Sequence, residues 1–193
     1  MERTTRKFST RAKIAASATV LAAAGLGALG TAAAAAQPQA APAAAPAAAP
    51  ADLQARTTTT TAHLTADTAT RAAQAAMRAA QKEGQRVTVA VVDRNGNTIL
   101  TMRGDGAGPQ SYESAIKKAW TATAWNSPTS RLVERLKDAP TLADIPNTLF
   151  LGGGVPVAHN DAPVAGIGVA GAPSGTLDEK FAQAGLAAIS NGR

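Results

Sequence analysis

The sequence predicts an α/β fold of the α+β kind: one domain whose largely antiparallel five-stranded sheet is flanked by helices. Three observations carry this. Runs rich in β-branched residues come in pairs joined by tight turns, which pairs strands antiparallel. Stretches with apolar or small residues at three- and four-residue spacing stand before, between and after those pairs. No cysteine occurs among the 193 residues, so the domain must be stable through its core or through oligomerisation.

Leu64-Thr65-Ala66-Asp67 opens the first helix. Thr65 is the cap, Asp67 suits the positive end of the helix dipole and Leu64 acts as a staple. Ala66 to Glu83 is rich in Ala, Gln and Arg, all good helix formers, and Gly84 is placed to end it. Val87 to Val92 is the first strand and Thr98 to Met102 the second. Asn95-Gly96 between them is a strong hairpin signal, because both residues tolerate positive φ. Gly104 to Pro109 is a glycine-rich connection.

Ser111 to Asn126 reads as the next helix, with Tyr112, Ala115, Ile116, Ala119, Trp120 and Thr123 at helical spacing. Ser127-Pro128 begins a shorter helix, Thr129 to Lys137, with proline at its first position. Leu149 to Leu151 is the third expected strand. Gly152-Gly153-Gly154 interrupts, Val155 to Ala158 is the fourth, His159-Asn160-Asp161 is a turn, and Pro163 to Ala170 is the fifth. Thr176 and Glu179 suggest a capping box for the last helix, Leu177 to Ser190. The expected order is α-β-β-α-α-β-β-β-α.

The chain begins with a different pattern. Arg3, Arg6, Lys7, Arg11 and Lys13 form a basic head, Ile14 to Leu29 is apolar or small almost throughout, and Thr31 to Ala36 offers A-x-A cleavage choices. That order of parts reads as a secretory signal peptide over residues 1–36, not a retained membrane anchor. Residues 37–62, rich in Ala, Pro and Thr, read as a disordered tether. Residues 63–193 are the folded domain. The expected location is secreted, on the cell-wall side. The full chain carries +6, but without residues 1–36 it holds 14 basic and 12 acidic residues, a net +2. No dense basic patch with interleaved aromatics remains, which argues against nucleic-acid binding.

Several chemistries are excluded. Without cysteine there is no thiolate nucleophile, Cys-type zinc site, iron–sulfur cluster or C-x-x-C-H haem attachment. No H-E-x-x-H or G-x-S-x-G motif occurs. Gly166 to Gly171 matches G-x-G-x-x-G, but it lies inside a strand pattern instead of at a helix opening. Close backbone packing explains it better than dinucleotide binding. Gly152-Gly153-Gly154 lacks the Lys-Ser/Thr of a phosphate loop. His63 and His159 each read as surface residues. On periodicity, Trp120 reads as core, Lys117 and Lys118 as a solvated face, and Thr121 as a small packing residue.

Three stretches carry a resemblance: Ala115-Ile116-Lys117-Lys118-Ala119-Trp120-Thr121-Ala122 through Ser127-Pro128-Thr129; Leu149 through Val157; and Pro163 through Gly175, followed by Asp178-Glu179. From about Leu64 to the end the chain resembles the GlcG/HbpS family of haem-degrading domains. The signal peptide and tether make it similar to the exported, haem-binding branch. The resemblance implies a helix-flanked antiparallel sheet, a larger octamer-like homo-oligomer and haem as cofactor. It also implies slow haem breakdown with iron release, and a link to redox or haem sensing through the extracellular part of a membrane sensor kinase. By this resemblance Thr121 is the expected ligand of the haem iron, with Tyr112 a second oxygen candidate and Lys117 and Lys118 as propionate partners. The alternatives are a haem-independent small-molecule enzyme and a purely structural accessory on the same scaffold.

Overall fold

A computed structural model describes residue 53 and residues 57–190. The segment read as a signal peptide, and most of the tether, lie outside these residues. Helix α1 (Ala66–Lys82) leads to strands β1 (Thr88–Asp93) and β2 (Thr98–Arg103). Helices α2 (Gln110–Trp125) and α3 (Thr129–Arg135) follow, then a 3-10 turn (Pro140–Asp144), strands β3 (Gly154–His159) and β4 (Ala162–Ala170), and helix α4 (Gly175–Ser190).

The strands form one antiparallel sheet in the order β2-β1-β4-β3. The two central strands, β1 and β4, are the most apolar, as burial on both faces requires. On one face α1 and α4 cover Val89, Val91, Val155, Ile167 and Val169. The alanines of α1 let it lie close, and Phe181 of α4 fills the space between. On the other face α2 crosses β1 and β4. Gly166 and Gly168 make this possible: a methyl group on Gly168 would collide with the backbone of Ala115 and Ala119, and one on Gly166 with Ala119 and Thr123. The G-x-G pair is therefore a helix seat, as its place within a strand pattern implies.

Thr65 caps α1 by accepting the Thr68 N–H at 3.2 Å. The β1–β2 hairpin turns at Gly96 with φ 88°. Asp93 ties that turn, accepting the N–H groups of Asn95 at 2.8 Å and Asn97 at 2.9 Å. Asn160 and Asp161, both at positive φ, make the β3–β4 turn.

Three expectations are corrected. The sheet has four strands, not five, because Leu149 to Leu151 forms none. The Leu149 N–H goes to the Thr121 hydroxyl at 2.8 Å, the Leu151 N–H turns back to the Leu149 carbonyl, and Gly153 takes φ 127°, so no ladder can run there. The capping box at Thr176 and Glu179 does not form. Helix α4 starts two residues earlier, at Gly175, the Ser174 hydroxyl accepts the Leu177 N–H, and the Glu179 carboxylate instead holds Ser130 through its N–H at 3.0 Å and its hydroxyl at 2.6 Å. Pro128 caps α3 instead of occupying its first helical position.

Candidate functional site

Helix α2 buries Ala115, Ala119 and Ala122 and turns Tyr112, Glu113 and Lys117 outward. Along that outer face run two adjoining clefts. The larger, about 500 Å³, is lined by Pro109, Gln110, Tyr112, Glu113, Ser114, Lys117, Thr148 and Leu149. The smaller, about 240 Å³, is lined by Gly96, Glu113, Ile116, Lys117, Trp120 and Asn147. Glu113 and Lys117 belong to both, so the two form a groove with α2 along one side and residues 147–149 along the other.

Each wall has a local cause. Trp120 packs against Gly96 at the hairpin tip, where a side chain at residue 96 would strike the indole. An aromatic chain continues from Trp120 to Trp125 (centroids 6.4 Å) and from Trp125 to Phe150 (5.3 Å), both edge-on. This chain ties the end of α2 to the 147–150 segment. Thr121 is fully buried behind that segment. Its hydroxyl donates to the Lys117 carbonyl at 2.7 Å and accepts the Leu149 N–H at 2.8 Å. Lys117 sits 3.8 Å from Glu113, an exposed pair one helical turn apart and worth little in water.

The structure thus brings two of the four sequence-chosen residues, Tyr112 and Lys117, to the groove. Thr121 lies beneath its wall with both hydrogen-bonding roles of its hydroxyl engaged. Lys118 departs from the reading of a solvated face: one residue along a helix is a rotation of roughly 100°, and here it carries the side chain into the protein. Its ammonium is buried, 2.7 Å from Asp178 Oδ2 and 3.0 Å from the Val169 carbonyl, so it is not presented to a propionate in this arrangement. Burial raises the Asp178 carboxyl above its ordinary value. Hydrogen bonds from Lys118 and from the Ala172 and Gly171 N–H groups pull it back without cancelling that rise.

Asn147, Thr148 and Leu149 were not read as site residues from the sequence, Leu149 being expected only as the start of a strand. They line the groove from a connection 22 to 24 positions beyond the end of α2, which no local periodicity can link to it. Glu113 was the readable one, four positions before Lys117 on the same helix face.

A model of a family described as haem degrading protein HbpS-like matches residues 64–187. The chain belongs to the HbpS-like family. The crystal structure of a double mutant of Streptomyces reticuli HbpS is 63% identical, with a TM-score of 0.74, over 75% of this chain and 99% of that one. A crystal structure of a PduOC:heme complex is 28% identical, with a TM-score of 0.62, over 66% of this chain and 96% of that one. The corrinoid adenosyltransferase PduO of Salmonella typhimurium is 32% identical over 111 residues, 55% of this chain. The match spans only 33% of PduO, so the family domain here corresponds to about a third of that relative.

Proposed function

We propose that this protein is exported, is trimmed near residue 36 and binds haem in the groove on α2. The observation that carries the reading is the convergence of Tyr112 and Lys117 on a groove whose larger part, about 500 Å³, falls in the size range of cofactor sites. Family membership and the haem-bound PduOC relative support the same ligand. The residues fit it. Ile116, Trp120 and Leu149 offer apolar contact to a flat ring, Lys117 offers a cation to a propionate, and Tyr112 offers a phenol oxygen to iron. Tyr112 needs no rearrangement to serve, being 46% exposed. Thr121 becomes an iron ligand only if the Leu149 N–H bond opens. Haem, when bound, supplies a redox-active iron and an absorption band that reports its ligands.

An open groove with a weak oxygen ligand suits a protein that samples haem instead of storing it. Slow haem breakdown with iron release, assembly into a homo-oligomer and docking on the extracellular part of a sensor kinase belong to the same reading. Titration of the full chain with haemin tests it. A Soret shift that weakens in Lys117→Ala and changes shape in Tyr112→Phe supports the site, while haemin without effect on the spectrum overturns it. Adding peroxide, with a protein-free control, separates binding from breakdown: bleaching and iron release beyond the control mark catalysis. Sequencing the N-terminus of the protein recovered from culture medium tests export and cleavage.

A further inference from the structure

The chain has two histidines, and both line one cavity on the opposite side of the sheet from the α2 groove. His63 precedes α1, and His159 ends β3, 96 positions later. The cavity, about 320 Å³, sits where α1 begins and α4 ends. Its apolar lining includes Val157 and Val164 from the sheet and Leu186 and Ile189 from α4. Leu186 and Ile189 are partly buried against the core, so this lining is fixed from behind. Both imidazoles are on the exposed rim. His159 Nε2 lies 3.4 Å from Asn160 Nδ2, a long hydrogen bond between exposed neighbours that a metal can displace.

We infer that this two-histidine cavity is a second haem site, open on one side, with an imidazole of the His63/His159 pair as the iron ligand. Ligand arithmetic selects haem over a bare ion. Among the described residues no group of three or more His, Cys, Asp or Glu could hold a metal ion. A bare transition metal here would therefore lack most of its coordination set. A porphyrin brings four nitrogens of its own, so one imidazole completes the attachment, and imidazole is a common protein ligand of haem iron. The apolar floor meets the ring, which a hydrated ion would not need. The cavity is smaller than the α2 groove, so one edge of the ring enters while the rest stays in solvent. Such seating favours exchange over storage.

This inference rests on the haem reading above, and the test separates the two. The full chain, the His63→Ala/His159→Ala double variant and the Tyr112→Phe/Lys117→Ala double variant are titrated with haemin. Two equivalents are expected for the full chain. The histidine variant should lose one equivalent together with the imidazole-type absorption and electron paramagnetic resonance signals, and the α2 variant should keep those signals. Unchanged stoichiometry and signals in the histidine variant overturn the second site alone. No haemin binding by any of the three overturns both readings. In the unsubstituted protein, haemin should also displace and broaden the ¹⁵N resonances of at least one imidazole. Resonances that stay in place at saturation overturn the inference without any variant.

Discussion

Lys118 Nζ lies 2.7 Å from Asp178 Oδ2, and both side chains are almost wholly inaccessible. The pair joins α2 on one face of the sheet to the first turn of α4, which covers the other. A second bond to the Val169 carbonyl fixes the ammonium at the end of β4. Removing one partner strands the other charge in the interior, where breaking such a pair costs about 3–5 kcal/mol. Lys118→Met is therefore expected to lower stability by that amount in urea denaturation. Lys118→Met combined with Asp178→Leu should recover part of the loss, and a double-mutant cycle measures how much.

The two shifted carboxyls respond to pH in opposite directions. Burial works to raise Asp93, but hydrogen bonds from the Asn97 backbone, the Asn97 side chain and the Asn95 backbone outweigh it, with His63 adding a charge, so its carboxyl lies below 3.8. Its contribution is present above 3.8 and is lost as pH falls through the lowered folded value. Asp178 lies above 3.8, so its contribution is full below 3.8 and declines as pH rises through the raised folded value. Denaturation across this acid range should show a shallower acid loss for Asp93→Ala than for the unsubstituted protein. It should show a smaller decline with rising pH for Asp178→Asn. Unaltered slopes in both variants would contradict these assignments.

Much of the fold was legible because its signals are local. Thr65, Gly84, the Asn95-Gly96 turn and the Asn160-Asp161 turn each act within a few residues. What was not legible depends on partners far along the chain. Leu149 to Leu151 has strand composition, yet Thr121 takes its first N–H. Glu179 has capping-box spacing, yet it serves Ser130 on another helix. Lys118 has the look of a solvated residue until Asp178, 60 positions on, is placed beside it. The groove was half legible: Tyr112 and Lys117 lie on the helix face that the sequence offers, whereas residues 147–149 come from a separate connection.

Gly168 should be intolerant of even a methyl group. Its neighbours across the interface are backbone atoms of Ala115 and Ala119, which cannot rotate aside as a side chain tip could. Overpacking of this kind costs about 1–3 kcal/mol. Gly168→Ala is expected to lower the denaturation midpoint accordingly. Gly84→Ala meets nothing within 4 Å and strains only a left-handed turn with φ 67°, so it should cost less. Equal midpoints for the two variants would contradict the close helix–strand seat.

Thr121 offers the sharpest separation between a positioning role and a ligand role. As positioned, its hydroxyl holds the Leu149 wall, and its loss leaves that N–H unpaired at a cost of about 1–3 kcal/mol. A positioning residue predicts that Thr121→Ala lowers stability and weakens haemin binding with no change in the position of the Soret band. It also predicts that Thr121→Ser, which keeps the hydroxyl, restores both. A ligand role predicts a displaced Soret band in Thr121→Ala at haemin saturation. The geometry favours the first outcome, because the hydroxyl is fully buried and already bonded on both sides. A displaced band at saturation would show that the Leu149 bond opens on binding and that the iron reaches Thr121.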